Sequence, residues 1–560
     1  MKPSNRLSLT ALALAALTAG VWAQTESASN VAPAKEPAAA VAPSPEAELR
    51  SELEQLKQLV RDQQKRIDAL EADRPAPDHP AIAAAAVPAT NLEASNPAPA
   101  TNLEASNSAP ASPAPRSQDA PQAQNVQAGS SDERIRNLER QIKGLGPISF
   151  SGDVRLRAEP FFGGPSDESL ERVRGRFRAR FNAFADLGSQ FQTGISLASG
   201  DINDPISTNQ TLTGFYTRKT IALDQAFVQF TPDAFKPLVL VAGKFRYPWY
   251  NTELTWDKDL NPEGAAETLA FKLGTPVLKR FALVGFELPF AEVAGLSAND
   301  KRITQQITYG GQLQTSWQLA PHVTLGVYSG FYDYRGADAI ALALARANSK
   351  NPQTPLTGLL PLNSSNPVQD STYTTTATTI ITVNGTAYPT GVTSITNAQF
   401  ASKFQLFDSI AHLEINTGRP RLPVEFIGDY VQNMGACGNL ANIVPVPANT
   451  ATATYKQSVN SPCFSRQRRG YWMEGRAGRL QEKGDFQFGY THIYIEREAV
   501  VGNFNYSEIR QGSNVTEHRF DFFYQFDRNV QLGVTALVGR PLATTEPWLT
   551  RLQFDTIYIF

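Results

Sequence analysis

From Ile148 to Phe560 apolar and polar side chains alternate, and the alternation restarts after each turn. In the first segment Ile148, Phe150, Val154 and Leu156 alternate with Ser149, Ser151, Asp153, Arg155 and Arg157. Further on, Val530, Leu532, Val534, Ala536 and Val538 alternate with Gln531, Gly533 and Thr535. A period of two marks a strand with one apolar and one polar face. Sixteen strands are predicted, at 148–159, 172–186, 190–199, 219–230, 238–246, 266–274, 280–290, 303–319, 323–334, 403–416, 422–433, 468–481, 485–497, 516–527, 529–540 and 548–560. A soluble sandwich alternates in the same way, so connection lengths carry the distinction. Short links (LGSQ at 187–190, APH at 320–322, TGRPR at 417–421, EKG at 482–484) take turns with long ones, the longest being 335–402 and 434–467. Short turns on one rim, long loops on the other and an even count predict an all-β fold: a transmembrane antiparallel β-barrel of about 16 strands over 148–560.

Before Ile148 the pattern changes. Residues 1–23 join Lys2 and Arg6 to an apolar core and end at Val21-Trp22-Ala23, the layout of a secretory signal peptide. Residues 24–45 are Ala-, Pro- and Ser-rich and are expected to be disordered. Over 46–72, Leu49, Leu53, Leu56, Val60, Gln63, Ile67 and Leu70 step by four and three, predicting a self-associating coiled coil or a lone helix docked elsewhere. The linker 73–130 repeats TNLEASN at 90–96 and 101–107 and offers little to bury, so it too is expected to be disordered. A short helix is predicted over 131–146. No later run of about 18 apolar residues offers a membrane helix. A chain of this kind is expected to be exported and to cross a membrane with strands rather than helices.

Charge sharpens the picture through its arrangement. The formal net charge is only −2, which argues against a nucleic-acid partner, yet ERVRGRFRARF places Arg172, Arg174, Arg176, Arg178 and Arg180 at alternate positions. An Arg facing lipid at the bilayer midplane costs about 2–4 kcal/mol. The five therefore point inward, joined by Arg155 and Arg157, while Val173, Phe177, Ala179 and Phe181 face lipid. Two readings stay open. The ladder is an anion-favouring pore wall, or it is neutralised by Asp153 and Glu159 on the preceding strand and by opposing acids Glu474, Glu517 or Asp521.

Other chemistry is sparse. Cys437 and Cys463, in an exported chain, are expected to form one disulfide. Asp201, Asn203, Asp204, Asp257, Asp259 and Glu263 carry clustered oxygens that suit Ca²⁺ in extracellular loops, against the plainer reading of solvated acids or turn caps; no cofactor is otherwise expected. His79, His322, His412, His492 and His518 lack metal spacing, and no nucleophile elbow or phosphate loop occurs, so no enzyme is expected. Phe520, Phe522, Tyr524 and Phe526 suit lipid contact or a subunit interface.

The segments STNQTL, LDQAFVQF, GKFRYP and WDKDLNPEG, with the leader, coiled coil and barrel ending on Phe560, resemble Gram-negative outer-membrane porins of the putative-porin family. The last strand, WLTRLQFDTIYIF, departs from the usual pattern in having Asp555 where a Gly is common. The resemblance implies passive diffusion of small hydrophilic solutes, commonly through homotrimers, and carries no substrate residues over. One of the long loops, 335–402 or 434–467, is expected to fold inward. The rival expectation is a barrel that merely anchors a coiled coil tethering the outer membrane to the cell wall.

Overall fold

In a computed structural model, residues 148–165, 172–292, 306–349, 362–365 and 367–560 are described. The leader, coiled coil, linker and short helix expected before residue 148 lie outside them.

The wall begins with β1 (Ile148–Gly163), β2 (Val173–Leu187), β3 (Phe191–Ser199), β5 (Ile221–Phe230) and β6 (Leu238–Lys244), with a two-residue β4 (Gln210–Thr211) beside β2. It continues through β7 (Glu263–Lys272), β8 (Leu278–Ala291), β9 (Gln306–Ala320) and β10 (Val323–Arg335). Then follow β13 (Phe404–Ile415), β14 (Val424–Asn433), β16 (Arg469–Gly478) and β17 (Phe486–Ile495), and finally β18 (Val515–Asp527), β19 (Val530–Pro541) and β20 (Leu549–Ile559). Each of the sixteen wall strands pairs antiparallel with its neighbours, and β20 pairs with β1, which closes the barrel. Each matches one predicted segment, with ends moved by a few residues.

Most outward positions follow the predicted face. Val173 and Phe181 on β2 and Phe520, Phe522 and Phe526 on β18 are exposed, whereas the alternate Arg176, Arg178, Glu517 and Asp521 are buried. On β8 both faces are apolar: Leu283 is exposed outside, while Val284, Phe286 and Leu288 are buried inside. The cause is the connection 245–262, which folds into the barrel. Trp249 stacks on Phe286 at 4.0 Å between ring centroids, and Trp256 packs against Tyr332 and Tyr334 of β10. The connection 496–514 joins it, with Asp257 N donating to Phe504 O at 2.7 Å and Tyr506 N to Glu253 O at 2.9 Å. The hydrophobic core of this protein thus lies inside the barrel.

The inward turn has a local cause in the sequence. Gly243 on β6 and Gly264 on β7 are directly opposite each other, with φ of +119° and +138°. At Gly264 a Cβ would sit 2.1 Å from Glu287 O, so only glycine fits.

Of the two longest connections, 336–403 reaches inward, with Leu344, Ser365 and Val368 lining a cavity beneath Arg172 and Arg174, while the loop acids that meet the ladder come from the shorter connections 245–262 and 496–514. The connection 336–403 contains α1 (Asp338–Ala347), whose Ile340 and Leu342 cap the apolar cluster, and a hairpin of β11 (Thr372–Val383) and β12 (Thr386–Phe400). β15 (Ala453–Val459), from the connection 434–468, pairs with β11 to complete a three-stranded sheet. Asn384 and Gly385 both have positive φ, the two-residue turn that an Asn-Gly pair favours. The Thr-rich flanks hid this hairpin, because threonine on both faces gives no alternation. Cys437 and Cys463 are joined as a disulfide beside it.

Replacing Gly264 by Ala is expected to cost about 1–3 kcal/mol through backbone strain. The measurement is the temperature at which the folded barrel loses its compact mobility on a detergent gel, which falls in Gly264→Ala and holds in Gly274→Ala, where a Cβ meets open space.

Candidate pore lining

The arginine ladder lies on the inner face of the β20–β1–β2 wall. The register sets Arg155 opposite Arg178 and Arg157 opposite Arg176, a like-charge arrangement that is unfavourable by itself. Relief comes from both sides. On β20, Asp555 is opposite Arg157, which it binds through both carboxylate oxygens, and it lies 3.8 Å from Arg155. From the connection 496–514, Glu508 accepts from Arg157 Nη1 at 2.6 Å.

Glu159 of β1 is shared by several arginines. It binds Arg174 closely, lies 2.8 Å from Arg551 of β20 and 3.8 Å from Arg176. Asp153 accepts from Arg178 Nε at 2.9 Å and from Arg180 Nε at 2.6 Å. Arg180 also approaches Asp259 of the inward connection at 3.6 Å. Arg176 Nη2 further donates to Ser207 Oγ at 3.3 Å, and Arg155 to Asn209. Arg172 is exposed at the long-loop rim, over the Phe161 ring at 5.0 Å. Seven guanidinium groups, those of Arg155, Arg157, Arg174, Arg176, Arg178, Arg180 and Arg551, therefore share five carboxylates, an excess of two.

Of the acids expected to neutralise the ladder, Asp153 and Glu159 on the preceding strand touch it, and Glu474, Glu517 and Asp521 across the wall do not. Glu474 binds Arg476 and accepts from Trp472 Nε1 at 2.7 Å. Asp521 binds Arg519 at 2.7 Å, and Glu517 accepts from Arg510 N at 2.8 Å. Glu474 and Asp521 are taken by arginines two positions along their own strands, a pairing that alternation places on one face. The partners that sequence reasoning missed, Asp555, Glu508 and Asp259, come from β20 and from two folded connections. Asp555 had a signal, as the departure from the expected glycine.

The loop acids considered for Ca²⁺ are committed elsewhere. Asp201 accepts from Asn203 N at 2.9 Å and from Asn363 Nδ2 at 2.8 Å, and Asp204 accepts from Ser365 Oγ at 2.6 Å. Glu263 lies 3.5 Å from Lys244. Asp257 and Asp259 are buried inside the barrel, contrary to the solvated reading. Burial opposes ionisation of Asp259, but Arg178 and Arg180 outweigh it and hold the carboxyl below its ordinary range; Arg157 and Arg551 do the same for Glu508. Asp257, buried and facing Glu253, is pushed well up. Among the described residues no group of three or more His, Cys, Asp or Glu side chains is placed to hold a metal.

Two cavities flank this charge network. One, of about 340 Å³, is lined by Arg180, Arg246, Lys258, Glu253, Arg476 and Arg519 together with Tyr250 and Trp472. The other, of about 460 Å³, lies beneath Arg172, Arg174, Arg510 and Arg551 and is bordered by Glu508. In the first, Lys258 and Arg519 pair with Glu253, and Arg476 with Glu474. Arg246 is exposed to the cavity and, among the described residues, has no ion pair.

An outward apolar wall, an inward charged face and folded-in connections between strands define an outer-membrane channel barrel. The chain belongs to the putative porin family, whose model matches residues 164–556. Its location is accordingly the outer membrane, with short turns on the periplasmic rim. Solved structures similar to it include a loop-deletion mutant of OmpT from Vibrio cholerae, at 8% identity over 74% of this chain and 99% of that one, with a TM-score of 0.36. Pseudomonas putida OprB matches at 11% identity over 76% and 97%, TM-score 0.40, and Salmonella typhi OmpF in complex with daunomycin at 8% over 74% and 97%, TM-score 0.38. No curated protein matches the chain.

Asp555→Asn removes one of the two close carboxylates of Arg157 and leaves Glu508 as its partner, and is expected to cost about 1–3 kcal/mol. Thermal unfolding in detergent should show the loss, and Arg157→Gln added to it should recover part. A second outcome concerns Asp370, before β11, whose burial beside Glu498 raises its carboxyl from 3.8 to about 8. The folded state keeps a proton that the unfolded chain releases, so Asp370 costs stability increasingly from pH 3.8 to about 8. Asp370→Asn should raise the unfolding temperature at pH 9 and leave it unchanged at pH 3.

Proposed function

We propose that the barrel is a porin through which small hydrophilic solutes diffuse passively, with a preference for anions. The observation that carries this reading is a local excess of positive charge: two guanidinium groups more than carboxylates on the β20–β1–β2 wall, and Arg246, without an ion pair among the described residues, in the 340 Å³ cavity. Charge in a narrow, low-dielectric passage acts at longer range than in bulk water, so a small excess biases which ion enters. Paired arginines still line the path, but their field is largely cancelled by neighbouring carboxylates. In this reading most of the ladder is neutralised and the remaining excess of guanidinium groups biases the channel toward anions. Rows of paired charge also favour polar solutes over apolar ones, since a solute's hydroxyl or carboxylate replaces its water contacts there.

Homotrimeric assembly and contact of the 46–72 coiled coil with the cell wall belong to the same proposal and rest on the family resemblance and on the heptad pattern. No observation on the described residues favours the pure tether.

Single-channel recording in a KCl gradient tests the reading. Wild type should show a reversal potential of anion-selective sign. Arg246→Glu should reduce or invert it, and Arg174, Arg176 and Arg178 changed together to Gln should shift it toward zero. A reversal potential unmoved in both variants would sink the proposal. Removing residues 24–147 should leave conductance intact, whereas a tether without a pore would show none in any form.

A further inference from the structure

The outward face of β17, β18 and β19 departs from the rest of the wall near the long-loop rim. His492 of β17 and His518 of β18 are directly opposite each other, with rings stacked at 4.8 Å and 8° between planes. Both face away from the lumen, since their strand neighbours Ile493 and Glu517 are buried inside. His518 Nδ1 is 2.9 Å from Tyr490 Oη, and His492 Nε2 is 3.3 Å from Thr516 Oγ1. The other nitrogen of each ring, His518 Nε2 and His492 Nδ1, is left for an external partner. Arg540 of β19 is opposite Thr516, and its guanidinium lies over the Trp548 ring at 4.6 Å, with that ring 5.6 Å from His518.

An arginine on the lipid side is costly at the midplane and nearly free only at the interface. These residues satisfy that constraint, lying within a few positions of the long-loop ends of their strands at Ile495, Val515 and Pro541. Tyr471, 5.5 Å from His492, and Tyr494 complete an aromatic surround of the kind found at headgroup depth. What is missing is an anion. Arg540 has no ion pair among the described residues. The nearby acids are engaged: Glu496 accepts from Arg469 N at 2.8 Å and Tyr494 Oη at 3.4 Å, and Glu546 is 3.4 Å from Arg510.

We propose that His492, His518 and Arg540, with Trp548 as a platform, form a site for the phosphate group of a phosphorylated lipid in the outer leaflet. The complementarity is one of charge and of depth. A guanidinium pre-oriented by its stacking on Trp548, a ring that also neighbours His518, sits at the level where such phosphates lie. The lumen side of the same strands is sealed from this face by the sheet, so solutes in the channel do not compete for it.

The test uses the full chain purified in a non-ionic detergent and a bisphosphorylated, acylated glucosamine disaccharide as probe, with its dephosphorylated form and inorganic phosphate as comparisons. Native mass spectrometry counts bound lipid. Wild type should bind the phosphorylated probe at least about tenfold tighter than Arg540→Ala/His518→Ala, the scale of one charge-assisted hydrogen bond, and Arg540→Lys should retain most of that binding. The dephosphorylated lipid should not distinguish wild type from variant. Compact mobility on a detergent gel verifies that each variant is folded, and Arg540→Gln alone, which should also lose the tenfold preference, serves as the reading if the double variant is not. Three results would overturn the site: equal binding of both lipids by wild type and variant, equal binding of inorganic phosphate alone, or a change of oligomeric state with lipid binding unaltered, which would make the face a contact between copies. None of these bears on conductance, so the channel reading stands or falls separately.

Discussion

The pairing of Arg157 with Asp555 joins the first wall strand to the last, and most of the lumen's electrostatics follows from it. A closed sheet must bring β20 beside β1 so that no strand edge faces lipid. Closure also delivers a carboxylate to the one place where two arginine-bearing strands set like charges opposite each other. Without Asp555 the β1–β2 hairpin would expose its lumen to four facing guanidinium groups, those of Arg155, Arg157, Arg176 and Arg178. With it, and with Glu159, Asp153 and Glu508, the wall becomes a lattice of alternating charge. Backbone ladder and ionic lattice depend on the same register, so slipping the seam by one residue would break both.

The second organising feature is the displacement of the hydrophobic core into the barrel. Lipid supplies the apolar environment outside, so outward side chains need no protein partner. The connections 245–262 and 496–514 do need one, and they find it against the inner faces of β8 and β10. This core narrows the lumen, and the same connections reach the basic wall opposite, where Arg155, Arg157, Arg176 and Arg178 are buried. It also presents Asp259 and Glu508 to the arginines, so packing on one side of the barrel sets charge balance on the other.

The fold was legible in the sequence because lipid imposes period two on the wall strands, and most of the sixteen segments carried it, β8 being apolar on both faces. The Arg172–Arg180 stretch was legible for the same reason, since alternation leaves five arginines no face but the inner one. The partners were another matter. Glu474 and Asp521 have the right face and the wrong neighbours, because Arg476 and Arg519 two positions away engage them first. Glu508 and Asp259 lie in connections, where no periodicity reports direction. The inward turn at 245–262 left two traces that alternation alone does not weigh: glycines at both feet, Gly243 and Gly264, and apolar residues on both faces of β8. The β11–β12 hairpin left its Asn384-Gly385 turn but no amphipathic pattern around it.

The ionic lattice also has a temporal side. The partners of Arg157 lie 351 and 398 residues further along the chain, and Arg551 reaches Glu159 across 392. The basic strands thus carry Asp153 and Glu159 with them but precede Asp555 and Glu508 by most of the chain. A partly assembled sheet lacking its last strands keeps uncompensated cations on its inner face and open hydrogen-bonding edges on both sides, and neither is tolerated by hydrocarbon. Pairing of β20 with β1 supplies Asp555 to Arg157 and closes the sheet edges in one step.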